Sequence, residues 1–339
     1  MVKKVIKEYK DQKPYQIAPA PDVSHLPKVK GYDFEEKFDF QTFIDSYSTT
    51  GFQATHLGQA IHIVKEMQEK KATIFLGYTS NMVSSGIRDI LCYLVKHKKV
   101  HAIVTTGGGI EEDIIKVLKP FHVGVFQVSG RNLFEKGINR AGNVFIPNDR
   151  YLYFEKFLNP FLDRLAKEQK EKKVIHSSLD ITRELGKTIA QEKNCEESIL
   201  YWAAKNNIPV FCPAIMDGSF GDLVYFMKQR QKDFHIDVTQ DTKAMVDLAL
   251  NADKTGAIIL GAGVMKHYIL NANIFREGLD YAVYINTAEE HDGSDSGATA
   301  EEAMTWGKVN SKAQYVKVHA DATLVFPLLV AGAFVKKKK

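Results

Sequence analysis

The stretch Thr73-Ile74-Phe75-Leu76-Gly77-Tyr78 decides the fold. A short, continuous apolar run of this kind reads as a strand covered on both faces, as in parallel sheets. Outward from it, His56 to Lys70 has the apolar spacing of an amphipathic helix, and Asn81 to Lys99 reads as a second helix. The alternation continues with a strand at Val100–Thr106 and a helix at Ile110–Lys119. Residues 150–206 are helix-rich, from Tyr151 to Lys173 and from Asp180 to Lys205. Strands resume at Ile208–Met216, Ala257–Val264, Tyr281–Asn286 and Tyr315–Ala320, before a last apolar helix from Thr323 to Val335. This pattern predicts an α/β fold with a doubly wound, mainly parallel, Rossmann-like sheet. Residues 1–40 hold four of the ten prolines and read as an extended arm with one short helix. Residues 41–339 read as a single domain, without internal repeats or low-complexity linkers.

Composition narrows the function classes. The chain is 45% hydrophobic and 25% charged, ordinary values for a globular protein. Its net charge of +4 is partly terminal, in Lys3, Lys4, Lys7 and Lys10 and in the run Lys336–Lys339. Charge runs at chain ends are usually solvated tails, and no interior basic stripe with interleaved aromatics suggests nucleic acid. Three cysteines without CxxC spacing fit a reducing compartment, so a cytoplasmic location is expected. No apolar run is long enough to span a membrane. No His/Cys spacing supports a metal site, although His291-Asp292 and Asp295 lie close together.

Ligands of open parallel sheets bind beyond the carboxyl ends of the strands. Six expected strand ends here carry small, hydroxyl or acidic residues: Gly77 to Gly86, Thr105 to Asp113, Asp217 to Asp222, Gly261 to His267, Asn286 to Asp295, and Ala320 to Thr323. Gly/Ser/Thr turns of this kind let helix amides approach a pyrophosphate, although the GxGxxG fingerprint is missing. The acids Glu111, Glu112, Asp217, Asp222, Asp292, Asp295 and Glu302 suit an amine substrate and ribose hydroxyls. For Glu111, complementing the dipole of its own helix is an equal alternative. The seventeen residues from Asp292 to Lys308 add Trp306 and Lys308 to four carboxylates. A lysine attacks a carbonyl or imine carbon only when neutral, against an ordinary pKa of about 10.4. Desolvation or a neighbouring cation overcomes this, and a polyamine would be such a cation. Trp306 could fill core or form a cation–π wall. His267, at a strand end, could be structural or could relay a proton at neutral pH.

Together these residues closely resemble the deoxyhypusine synthase family, over nearly the whole chain from about Gly31 onward. The resemblance rests on Thr49-Thr-Gly-Phe-Gln-Ala-Thr55, Phe75-Leu-Gly-Tyr-Thr-Ser-Asn81, Ser84-Ser-Gly-Ile-Arg88, Gly137-Ile-Asn-Arg140, Asp217-Gly-Ser219, Gly263-Val-Met-Lys-His267, Tyr281-Ala-Val-Tyr-Ile-Asn-Thr287, Asp292-Gly-Ser-Asp-Ser-Gly-Ala298, Trp306-Gly-Lys308 and Ala320 to Val330. It implies an NAD-binding catalytic domain that moves the 4-aminobutyl group of spermidine to a lysine of the hypusine-bearing translation factor. Lys308 would carry that group as an imine, and His267 would relay the proton. By the same resemblance, NAD contacts fall on Ser80, Asn81, Met82, Val83, Ser84, Thr106, Gly107, Gly108, Glu112, Asp217, Ala262, Thr287, Ala288, Asp321 and Ala322. Spermidine contacts fall on Glu111, Glu112, Asp222, His267, Gly293, Ser294, Asp295, Glu302, Trp306 and Lys308. A homotetramer with sites at a dimer interface is implied too, with the arm able to cover a site entrance. The alternative is a homospermidine synthase with putrescine as acceptor. Ala262 stands where the family commonly has glycine, Gly107 where alanine is common, and His291 where phenylalanine is.

Overall fold

The structure, a computed structural model, describes residues 21–335. The first half of the expected arm and the run Lys336–Lys339 lie outside the described residues. Residues 21–39 contain turns but no helix or strand, so the helix expected in the arm does not occur there. The first described helix, α1 (Phe40–Thr50), starts only at the last residue of the expected arm, with Asp39 capping it by accepting from the Thr42 amide. The amphipathic helix α2 (Phe52–Glu69) then leads to β1 (Thr73–Tyr78).

The expected helix 81–99 is two helices, α3 (Ser80–Ser84) and α4 (Ile87–Lys96), broken where Ser85 is extended before Gly86. After β2 (Ala102–Val104) comes α5 (Gly107–Leu118). Next is a small antiparallel ribbon that the pattern did not predict: β3 (His122–Val123), α6 (Gly130–Glu135), β4 (Ile138–Ala141) and β5 (Val144–Pro147), in the order β3-β5-β4. The long helix α7 (Asp149–Lys172) follows. The expected helix 180–205 is divided into α8 (Ser178–Ile189) and α9 (Ile199–Asn206), with a 3-10 turn at Cys195–Glu197 between them.

The expected strand 208–216 shrinks to β6 (Val210–Phe211), because Pro209 and Pro213 cannot donate to a ladder. Helices α10 (Ser219–Arg230) and α11 (Thr239–Leu250) precede β7 (Thr255–Leu260). That strand stops before Val264, because Gly261 and Gly263 adopt positive φ (79° and 95°) and turn the chain into α12 (Val264–Ile274). Then come β8 (Leu279–Asn286), α13 (Ala300–Thr305), β9 (Val309–His319) and α14 (Ala322–Ala333).

The main sheet has the order β6-β2-β1-β7-β8-β9, with every pair parallel. Renumbered along the chain, this is 3-2-1-4-5-6, the Rossmann order, which reverses between β1 and β7. Side chains alternate between two cores, as a strand period of 2 requires. Ile74, Leu76, Ile258, Leu260 and Ile285 face one core, while Phe75, Ala257, Ile259 and Tyr284 face the other. Register slips between β8 and β9, where Leu279 pairs with Val309 but Tyr281 pairs with Gln314, so residues 310–313 bulge from the edge strand.

Candidate active site

The strand order places a crevice at the switch point, beyond the ends of β1 and β7. A cavity of about 330 Å³ lies there. Its walls include Asn81, Met82, Ala262, Thr287, Ala288, Asp321 and Ala322, brought together from four strand ends. Val83 is not among them, for its side chain is fully buried in the core. Asp321 is committed as the cap of α14, accepting from the Thr323 amide at 2.7 Å. Ser80 sits against α5, and a Cβ on Gly108 would come within 2.8 Å of the Ser80 Cβ. A Cβ on Gly107 would come within 2.2 Å of the Asp217 carbonyl oxygen, so this chain needs glycine there. Thr106 precedes α5, and its Oγ1 is buried without a partner among the described residues. An orphaned hydroxyl beside the amides of a glycine-opened helix, next to this crevice, fits a dinucleotide phosphate.

Acids gather beyond β2 and β6. Glu111 is 7% exposed and accepts from the Phe220 amide (3.1 Å) in the first turn of α10. It lies too far along α5 to cap that helix, so the helix it serves is α10 and not its own. Burial raises its pKa; the Phe220 and Ser219 amides oppose this, while Asp222 and Asp217 add to it. Glu112 accepts from Ser84 Oγ, and burial is the main reason its carboxyl is pushed up to about 7.

The lysine lies toward the other side of the sheet. Thr299 caps α13 by accepting from the Glu302 amide (3.3 Å), and the helix ends at Trp306. Gly307 turns back, and the Lys308 amide donates to the Ala303 carbonyl (3.0 Å) while the Lys308 carbonyl accepts from Leu279 (3.0 Å). Lys308 is thus fixed at the start of β9, only 9% exposed, with Nζ 5.5 Å from the centroid of the Trp306 ring. The ring itself is 66% exposed, a wall more than core filling. Lys308, Lys266, Asp295, Glu302 and Trp306 line one recess of about 30 Å³. His267 Nδ1 is 3.2 Å from Asp295 Oδ1, while Asp295 Oδ2 is buried without a partner among the described residues. The preceding loop is held by Asp292, which accepts from the Ser294 amide (2.8 Å), and Gly293 turns there with φ 71°.

Lys266 carried no assigned role in the sequence reading. Its ammonium is fully buried, donates to the carbonyls of Asp295 and Ala298 (2.5 and 2.7 Å), and lies 5.1 Å from the Tyr284 ring centroid. Burial lowers its pKa, with Lys317 and Lys308 acting the same way against Asp295 and Glu302. Being the only Lys, Arg, Asp or Glu of α12, next to His267, was the available signal.

The residues expected to bind the amine therefore form two groups. Glu111, Glu112 and Asp222 do not line the Lys308 recess. Four strand steps separate β2 from β9, or roughly 19 Å at the usual spacing.

Fold and site together define an α/β enzyme of Rossmann strand order with a buried lysine in an acid-lined recess. The deoxyhypusine synthase family model matches residues 42–333. Deoxyhypusine synthase of Arabidopsis thaliana is 48% identical over 338 residues, covering 92% of this chain and 91% of its own. That of Caenorhabditis elegans is also 48% identical, with 91% and 90% covered. A crystal structure of an Entamoeba histolytica protein assigned to the same enzyme superposes with a TM-score of 0.63 at 32% identity, covering 92% of this chain and 98% of that one. The chain belongs to the deoxyhypusine synthase family and is a transferase. These relatives do not favour the putrescine-acceptor alternative.

Proposed function

We propose that this enzyme transfers the 4-aminobutyl group of spermidine to one lysine of the hypusine-bearing translation factor, with NAD as cofactor and Lys308 as the covalent carrier. The observation that carries the reading is Lys308 itself, held between backbone clamps in a recess with an indole, two carboxylates and a second lysine. NAD, when bound, supplies the hydride acceptor that makes a carbon of spermidine electrophilic and later returns the hydride. The residues that would hold it are Ser80, Asn81, Met82, Ser84, Thr106 to Gly108, Glu112, Asp217, Ala262, Thr287, Ala288, Asp321 and Ala322. The rest is done by side chains. Asp295 and Glu302 attract the ammonium groups of the substrate. The Lys308 amine attacks the activated carbon, and 1,3-diaminopropane leaves. His267, oriented by Asp295, moves the proton between the two nitrogens. The acceptor lysine then displaces Lys308.

Separation of Glu111, Glu112 and Asp222 from Lys308 supports sites shared between subunits of a homotetramer. Residues 41–339 would form the catalytic unit, working in the cytoplasm, with residues 1–40 as an arm over the entrance. Among the described residues no helix is long and apolar enough to cross a membrane.

Lys308→Ala should abolish transfer, by a factor of at least about 10³ for a removed nucleophile, while NAD binding persists. Borohydride trapping with spermidine and NAD, followed by peptide mass spectrometry, should place the adduct on Lys308. Product formation with Lys308 unmodified would sink the mechanism.

A further inference from the structure

Glu111, Glu112 and Asp113 are followed, one turn after Glu112, by Lys116 on the same helix. Its ammonium donates to three successive carbonyls: Val83 (2.8 Å), Ser84 (3.3 Å) and Ser85 (2.9 Å). These are the last two carbonyls of α3, the five-residue helix Ser80–Ser84, and that of its C-cap Ser85. A helix this short closes very few bonds of its own, and its last carbonyls need outside donors. Ser84 is gripped from both sides, its hydroxyl by Glu112 and its carbonyl by Lys116.

We infer that Lys116 is a positioning residue for the cofactor: it never touches the dinucleotide, but it fixes α3 so that Ser80, Asn81, Met82 and Ser84 meet it. This inference rests on the reading that α3 contacts NAD. Holding a lysine there is costly. Burial lowers its pKa to about 8 and Arg88 acts the same way, while Asp89, Asp113 and Glu112 oppose them. A surface cap would not need such a placement, since water could satisfy carbonyls left in solvent.

The test uses the full-length enzyme and NADH fluorescence titration of wild type, Lys116→Met and Lys116→Arg, with melting temperatures and steady-state kinetics. Lys116→Met should weaken NADH binding about tenfold, as loss of an outer-shell partner typically does, and leave the spermidine KM at saturating NAD within about twofold. Lys116→Arg, which keeps charged donors, should recover part of the loss. NADH binding unchanged in Lys116→Met overturns the proposal. So does equal weakening toward NADH and spermidine, which would mean a general loss of structure. If Lys116→Met does not fold, Lys116→Arg and Lys116→Gln carry the comparison. A wild-type enzyme that binds no NADH would overturn the cofactor reading as well, a result distinct from either.

Discussion

Glu112 shows what a single buried carboxyl costs this protein. Its folded pKa is about 7 against an ordinary 4.5. A raised carboxyl favours the protonated state, so it costs nothing below pH 4.5, and the penalty grows as pH rises through that range to about 7. Glu112→Gln removes the ionisable group but keeps an acceptor for Ser84. The variant should therefore melt higher than wild type at pH 8, by a stability gain on the order of 1–3 kcal/mol, and show no gain at pH 4. It should also need more spermidine or NAD for half-maximal rate. Equal melting curves at both pH values would refute this account. Such residues were legible in type but not in burial. Glu111, Glu112, Asp222 and Lys308 stood out as acids and a lysine at strand ends. Lys266 did not, because nothing in Val264-Met265-Lys266-His267 says which side of α12 is covered, and Lys266 falls on the buried side while its neighbour His267 is exposed.

Among the elements, α5 is the hub. Three consecutive acids reach four other helices: Glu111 meets the start of α10, Glu112 meets α3, and Asp113 meets α4 and the cap of α9. Asp113 pairs with the buried Arg88 at 2.8 Å and also accepts from Ser198 Oγ and the Ile199 and Leu200 amides. Asp113→Ala would strand a buried guanidinium and uncap α9, so it should lower unfolding stability by roughly 3–5 kcal/mol. Denaturant titration would read this directly, and a loss below about 1 kcal/mol would show that Arg88 finds another partner. The strands covered on both faces, β1 and β7, were visible as unbroken apolar runs. The ribbon β3-β5-β4 was not, since strands of two to four half-exposed residues give no period to read. Helix breaks at Ser85 and after Ile189 were also hidden, because apolar spacing continues across both.

For the whole molecule, the distance between the acid group and the Lys308 recess makes a prediction about assembly. If each site joins Lys308 of one subunit to Asp222 of another, two inactive variants should rescue one another. Mixing Lys308→Ala with Asp222→Ala through unfolding and refolding should restore activity that neither has alone. No rescue, with mixed oligomers demonstrated by native mass spectrometry, would place a complete site within each chain. Val123, Val125, Phe126 and Phe134 stand largely exposed around the ribbon, surface of a kind that subunit contacts cover. Sedimentation should accordingly give a mass above that of the single 38.2 kDa chain. The way copies can join is narrowed by the sheet margins. At one margin β6 is only two residues long, and at the other β9 is interrupted by its bulge. Past the bulge, α2 covers the outer edge of β9, with Gln59 and His56 at the Tyr315 and Lys317 carbonyls and Gln53 at the His319 amide, so among the described residues neither margin leaves a long free ladder, and copies crowded together during synthesis lack a template for zipping into an endless ribbon, the usual first step toward fibres.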